Sequence, residues 1–81
     1  MPKSVVVIYG PPGCGKTNAA EALRDYYYCD EIVDSWIPGD NQEIPDNALI
    51  LTNVKPSDEE LASLHAYVIV ESFDDAVEKL L

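Results

Sequence analysis

The sequence has few basic residues, few cysteines and no long apolar run. Its 81 residues hold 5 Lys and Arg against 15 Asp and Glu, which gives a formal net charge of -10. This scarcity of positive charge excludes a nucleic-acid-binding surface, because such a surface neutralises phosphates with a basic patch, and an anionic membrane would repel the chain. Apolar runs are short, as in residues 5–9, against the ~20 residues that span a bilayer. No basic segment precedes an apolar one at the start, so we expect no signal peptide.

Cysteine and histidine are too sparse to suggest a metal site or a disulfide framework. Cys14 and Cys29 form neither a CxxC pair nor a metal-ligand spacing, and we expect reduced thiols in a cytoplasmic protein. His65 has no second ligand at metal spacing, which favours a surface or loop role. The hydrophobic share of 47% is ordinary for a globular chain, and no linker or repeat divides it. The sequence therefore predicts one minimal domain over residues 1–81.

Short β-branched runs alternate with helical patterns along the chain. Ser57 with Glu60 three residues later forms a capping box, and Ser72 precedes the last helical pattern. The alternation predicts an α/β fold with a four-stranded, mainly parallel sheet flanked by helices. The connection 37–47 does not look helical, so antiparallel pairing of its flanking strands is the lesser alternative. The predicted strands are 3–9, 31–36, 48–53 and 66–71, and the predicted helices are 16–28, 57–64 and 73–81.

Residues 10–17, GPPGCGKT, fit the pattern G-x-x-x-x-G-K-[ST] between a strand and a helix. The glycines allow a close approach to phosphate oxygens, and successive N–H groups with the positive end of the next helix form an anion site. Lys16 would reach the β- and γ-phosphates, and the Thr17 hydroxyl is placed to ligate Mg²⁺. The alternative is a glycine-rich turn without a ligand. The predicted nucleotide-binding residues of the segment are Gly10, Pro11, Pro12, Gly13, Cys14, Gly15, Lys16 and Thr17.

With this motif in this context, residues 3–28 resemble the P-loop NTPases, and the loop is most similar to those of the AAA+ and nucleotide-kinase branches. The resemblance implies Mg²⁺-dependent binding of a nucleoside triphosphate, with Lys16 as the catalytic lysine. ATP is favoured over GTP, because no NKxD-type guanine motif is present. The chain also resembles short P-loop proteins of bacteriophage and prophage, for which no activity is established. That resemblance implies the host cytoplasm as the location.

Two assignments of the Walker B strand stay open. In the AAA+ reading, EIVDSW at 31–36 resembles Walker B with Asp34 as the magnesium-side acid, and ALILTN at 48–53 resembles the sensor-1 strand with Asn53 sensing the γ-phosphate. In the kinase-like reading ALILTN is Walker B, and Asn53 replaces its acid. Both readings predict that the strands beginning near residues 66, 3, 48 and 31 lie side by side in that order.

Several parts of a complete ATPase are missing from the sequence. Ser35 stands where AAA+ proteins carry the glutamate that orients the attacking water, and serine cannot act as that base. Arg24 lies about two helical turns past Thr17, so an ion pair with Glu21 or Asp25 is favoured over an arginine-finger role. The family's helical lid is also absent. The resemblance therefore implies hydrolysis that is weak, or that depends on a protein partner or on a second copy of the chain.

A non-enzymatic function is the alternative. An interaction module with a charge of -10 would suit a basic partner, such as a host protein if the chain is phage-encoded, and would keep the loop only as an anion site. Six further residues have two interpretations each. Cys14 is either a reactive thiol or a small side chain that faces away from the ligand, and tyrosines 26–28 either stack on a base or pack in the core. Glu71 either reaches the phosphate site or is a solvated strand end, and Trp36 either contacts a partner or packs at the sheet edge.

Overall fold

Four parallel strands form the centre of the fold in the described part of the chain. The structure is a computed structural model that describes residues 3–11, 16–34, 36–37, 43–64 and 66–80. The sheet order is β2-β3-β1-β4, and all three pairings are parallel. This confirms the predicted α/β class and the predicted strand order, and the antiparallel alternative is wrong. The strands are β1 (Lys3–Tyr9), β2 (Glu31–Val33), β3 (Ala48–Thr52) and β4 (Ala66–Ser72).

The two central strands are buried on both faces. Residues 5–8 of β1 and all five residues of β3 are buried, as expected for continuous apolar runs in a parallel sheet. Val5 is in register with Ala48 of β3 and with Val68 of β4. β1 therefore has a strand on each side, and the chain that follows it leaves from the middle of the sheet.

Strand β2 is shorter than predicted. Asp34 already lies in a turn, and Trp36 has left the sheet, with its backbone N–H donating to the carbonyl oxygen of Leu51 at 2.9 Å. The Trp36 side chain is 3% exposed and belongs to the core, so packing rather than a partner contact accounts for it. The indole is the physical reason that the strand ends early, because the chain must bend to bury it.

Three helices occur in the described residues: α1 (Lys16–Tyr26), α2 (Asp58–Ala62) and α3 (Phe73–Glu78). Each is shorter than predicted. Helix α1 ends because Tyr28 adopts a left-handed conformation with φ 57°, and the N–H groups of Tyr28 and Cys29 donate to the carbonyls of Asp25 and Arg24. This is the hydrogen-bond pattern of a Schellman motif.

The helix starts were predicted correctly. The Ser57 hydroxyl accepts from the Glu60 N–H at 3.3 Å, and a Glu60 carboxylate oxygen accepts from the Ser57 N–H at 2.8 Å. This is the predicted capping box. The Ser72 hydroxyl accepts from the Asp75 N–H at 3.2 Å and caps α3.

The sheet separates two apolar clusters. Helices α1 and α3 cover one face, and the described residues Trp36, Ile44, Leu61 and Leu64 pack against the other. In the part of the chain that the structure describes, no helix has the length and apolar character needed to cross a membrane. The first cluster contains Val6, Ile8, Ala20, Leu23, Cys29, Leu49, Leu51, Phe73 and Ala76, and the second contains Val5, Val7, Val33, Trp36, Ile44, Ala48 and Ile50.

Candidate functional site

The carboxyl ends of the four strands meet at one edge of the sheet, which we call the carboxyl edge. Ligands of open parallel sheets bind outside this edge. Gly10 and Pro11 follow β1, Asp34 follows β2 and Asn53 follows β3. The structure therefore brings the described residues of the predicted site to the same edge. Pro12, Gly13, Cys14 and Gly15 lie outside the described residues.

The chain is fixed where it leaves β1. The Gly10 N–H donates to the carbonyl oxygen of Thr52 at 3.1 Å and so continues the pairing of β1 with β3 by one residue. Thr52 is 1% exposed, and its hydroxyl accepts from the Val54 N–H at 3.5 Å. These bonds place the start of the glycine-rich segment next to the turn that carries Asn53. After residues 12–15, the chain resumes as α1 at Lys16.

A cleft opens beside the start of the glycine-rich segment. Its volume is about 380 Å³, within the range of small-molecule sites. The cleft extends from the ends of β1 and β3 to the end of β4 and the first residues of α3. It is lined by Tyr9, Gly10, Pro11, Asn53, Ser72, Phe73 and Asp74.

Four of the residues that line this cleft were missed by the sequence reasoning: Tyr9, Ser72, Phe73 and Asp74. The signal was available, because the predicted strand order puts β4 beside β1. The end of β4 then has to lie beside the glycine-rich segment. Of the residues predicted outside the motif, Asn53 lines the cleft, whereas Asp34 and Glu71 do not.

Asp34 is exposed and stands at the carboxyl end of β2. Strand β3 lies between β2 and β1, so Asp34 is about 10 Å across the sheet from the end of β1. In the described ranges there is no group of three or more His, Cys, Asp or Glu side chains that could hold a metal ion. Mg²⁺ fits a site with one carboxylate, because it keeps several waters and takes further oxygen ligands from a bound phosphate.

Glu71 contributes to packing at the opposite face of β4 from Val70. Its carboxylate is hydrogen-bonded to the ammonium of Lys79, and this bond is the main cause of the raised pKa of Lys79. Burial, followed by the nearby Glu71 carboxylate, raises the pKa of Tyr27. These three groups link β4 to the ends of α1 and α3. The Glu71 side chain is 18% exposed and does not line the cleft, so neither the predicted site role nor the predicted solvated position describes it.

None of tyrosines 26–28 lines the cleft. Helix α1 is ~16 Å long, and its last turn lies near the amino ends of the strands, where Asn47 donates to the Tyr28 carbonyl at 2.7 Å. The rings of Tyr26 and Tyr27 contact each other edge to face at 4.9 Å. Arg24 pairs with Asp25 at 3.7 Å, as one of the two predicted partners. None of these side chains is placed to touch a ligand at the carboxyl edge.

Lys55 is a basic residue at the carboxyl edge that the motif analysis did not assign. It follows Asn53 and Val54 in the turn after β3, and it is exposed. Its ammonium lies over the ring of Tyr9, 5.9 Å from the ring centroid. Tyr9 is the last residue of β1 and lines the cleft.

We compared the chain with protein-family models, curated proteins and solved structures, and none of the three matched it. Its function is therefore argued from its own residues.

Proposed function

We propose that the protein binds a magnesium nucleoside triphosphate, with ATP as the favoured nucleotide, at the carboxyl edge of its sheet. The observation that carries the proposal is where residues 10–17 lie. The segment starts at the end of the central strand β1 with Gly10 and Pro11, which line a cleft of about 380 Å³, and the 11-residue helix α1 begins at Lys16. A phosphate-binding loop requires this strand–loop–helix context.

The charge of the chain restricts how phosphate can be bound. At -10, the protein repels an anion everywhere except where donors are concentrated. Backbone N–H groups of residues 13–17, the positive end of α1 and Lys16 would supply that concentration. Bound Mg²⁺ would neutralise part of the triphosphate charge, and Thr17 and Asp34 are the residues proposed to hold it.

The cleft supports a role in binding the nucleoside. Phe73 and Tyr9 provide apolar surface, while Asp74 and Ser72 provide polar groups that can orient a ligand. Asn53 lies between this cleft and the end of β3, where its amide can contact a terminal phosphate. The nucleotide would extend from the cleft across the end of β1.

We expect hydrolysis to be slow for the protein alone. Asp34 is followed by Ser35, which cannot orient water as a base, and Arg24 is engaged with Asp25 at the other end of α1. The expected turnover is far below ~1 s⁻¹, the low end of typical enzyme values. Steady-state phosphate release measures it, and a rate above that value would contradict the interpretation of Ser35.

Calorimetric titration with Mg·ATP tests binding. Wild type should bind at sub-millimolar ligand, and Lys16→Ala should weaken binding by about 10- to 100-fold, the effect of one charge-assisted hydrogen bond. Lys3→Ala is the matched control, because it removes the same charge at the amino end of β1. Absence of binding by wild type at millimolar Mg·ATP would overturn the proposal.

The exposed side of β4 favours a second candidate, the acidic interaction module. Ile69 is in register with Val6 and shares its face, yet Tyr67 and Ile69 are 68% and 37% exposed, since no described helix covers them. No strand of the described residues pairs with the outer edge of β4. An extended basic segment of a partner could add there as a fifth strand, held by backbone hydrogen bonds and by the opposite net charge.

Substitution of Tyr67 separates the two candidates. Tyr67→Lys should abolish capture of a basic partner peptide and leave Mg·ATP binding intact. Lys16→Ala should do the reverse. If Tyr67→Lys and wild type bind basic peptides equally, β4 is not the docking edge.

A further inference from the structure

Lys55 is a second basic residue at the carboxyl edge, besides Lys16, with which α1 begins. The chain has five basic residues. Arg24 is paired with Asp25, and Lys79 is paired with Glu71. Lys3 begins β1 at the opposite edge, and Lys16 begins α1. No carboxylate of the described residues lies within ion-pair distance of Lys55. Although the chain has fifteen acidic residues, the Lys55 ammonium therefore keeps its charge available for an anionic ligand near the cleft.

The contact with Tyr9 shows where the ammonium lies. Lys55 belongs to the turn after β3, whereas Tyr9 ends the neighbouring strand β1. Adjacent strands are ~4.8 Å apart, so the lysine side chain crosses from one strand end to the other. The attraction of the ammonium for the ring face holds it there, 5.9 Å from the centroid. It therefore lies at the point where the glycine-rich segment begins.

The order of groups along the carboxyl edge suggests which phosphate Lys55 meets. Ser72, Phe73 and Asp74 line the cleft on the β4 side of β1, and Lys55 approaches from the β3 side. The cleft also reaches Asn53 at the end of β3. A nucleotide whose nucleoside lies against residues 72–74, and whose phosphates cross the end of β1, has its terminal phosphate nearest β3. Asn53 stands at that same end.

We propose that Lys55, positioned on the ring of Tyr9, binds the terminal phosphate and makes the site prefer nucleoside triphosphates over diphosphates. The inference rests on the proposed function, since it requires a nucleotide at residues 10–17. Lys55 then supplies, from within the chain, positive charge that Arg24 is too distant to give. An ammonium suits this task, because it binds phosphate as a point charge and needs no fixed planar geometry.

Calorimetry with Mg·ATP and Mg·ADP tests the preference. Wild type should bind Mg·ATP more tightly than Mg·ADP. Lys55→Ala should weaken Mg·ATP binding about tenfold, the scale of one lost charge-assisted contact, and change Mg·ADP binding by less than about twofold. Lys55→Arg should keep most of the preference. Tyr9→Leu should lose part of it, because the ring no longer positions the ammonium.

Lys3→Ala controls for the general loss of one positive charge, and far-UV circular dichroism checks that each variant is folded. The inference would be overturned if Lys55→Ala left the ratio of Mg·ATP to Mg·ADP affinity unchanged, whether both affinities fell equally or neither changed. If wild type binds Mg·ATP and Lys16→Ala does not, an unchanged ratio rejects only the role of Lys55, and the proposed function stands. If wild type binds neither nucleotide, the proposed function and the inference both fall.

Discussion

Tyr28 ends helix α1 in a conformation that favours glycine. Its φ of 57° lies in the left-handed region, where a side chain with a Cβ costs roughly 1–2 kcal/mol. The side chain is 86% exposed, so its packing contributes little stabilisation to offset this unfavourable backbone conformation. The Asn47 side chain holds the Tyr28 carbonyl, and the Schellman hydrogen bonds fix the two residues around it.

Tyr28→Gly should therefore raise the free energy of unfolding by about 0.5–1 kcal/mol, the relief of strain less the greater entropy of an unfolded glycine. Tyr28→Ala is the matched control, because alanine keeps the Cβ and should give no gain. Urea denaturation followed by circular dichroism measures both. Equal stabilisation by the two substitutions would show that loss of the exposed ring, and not backbone strain, is responsible.

The two short helices, α2 and α3, differ in whether they bury apolar side chains. Helix α3 buries Phe73 and Ala76, whereas α2 has no buried residue, although both begin at a serine cap. A cap matters to global stability only if the helix cannot fray without exposing apolar surface.

Ser72→Ala should accordingly cost about 1 kcal/mol of unfolding free energy, the usual value of a helix cap. Ser57→Ala should cost clearly less, because α2 can unwind locally. Denaturant midpoints with unchanged slopes would report the difference. A larger cost for Ser57→Ala would mean that α2 is part of the cooperative core.

The strands and helix starts follow from local rules, and for that reason the sequence predicts them. The run SVVVIY has no polar residue to expose after Ser4, and the Ser57–Glu60 spacing specifies its own hydrogen bonds. Helix and strand ends depend on distant residues. Trp36 ends β2 by packing into the core, and Tyr28 is bonded to a residue nineteen positions away. The cleft could not be read from a motif, since Asp74 reaches it only through the β1–β4 pairing.

At the scale of the whole molecule, three raised pKa values make the fold sensitive to alkali. Burial is the main reason that the pKa of Cys29 is raised above its ordinary 9.0. Burial is also the main reason that the pKa of Tyr27 is raised above 10.0. The bond to Glu71 raises that of Lys79 above 10.5. In each case the native state holds its proton more tightly than the unfolded chain does. Stability is therefore full below the unfolded pKa and falls as the pH rises through the native one.

The free energy of unfolding should stay level from pH 7 to about 8.5 and then decrease steadily towards pH 11. Cys29→Ala should flatten the first part of the decrease, and Lys79→Met should flatten the last part while lowering stability at neutral pH. Thermal melts across this pH range supply the measurement. Rising stability above pH 9 would contradict the assignment of all three groups.

The central claim is that a nucleotide binds at the carboxyl edge, and amide chemical-shift mapping tests it most directly. On addition of Mg·ATP to the ¹⁵N-labelled protein, we expect the largest shifts at Gly10, residues 13–17 and Asn53, with further shifts at residues 72–74. The amides of Tyr67 and Ile69 should stay unmoved. A spectrum without change at millimolar Mg·ATP, or with shifts confined to β4, would contradict the account.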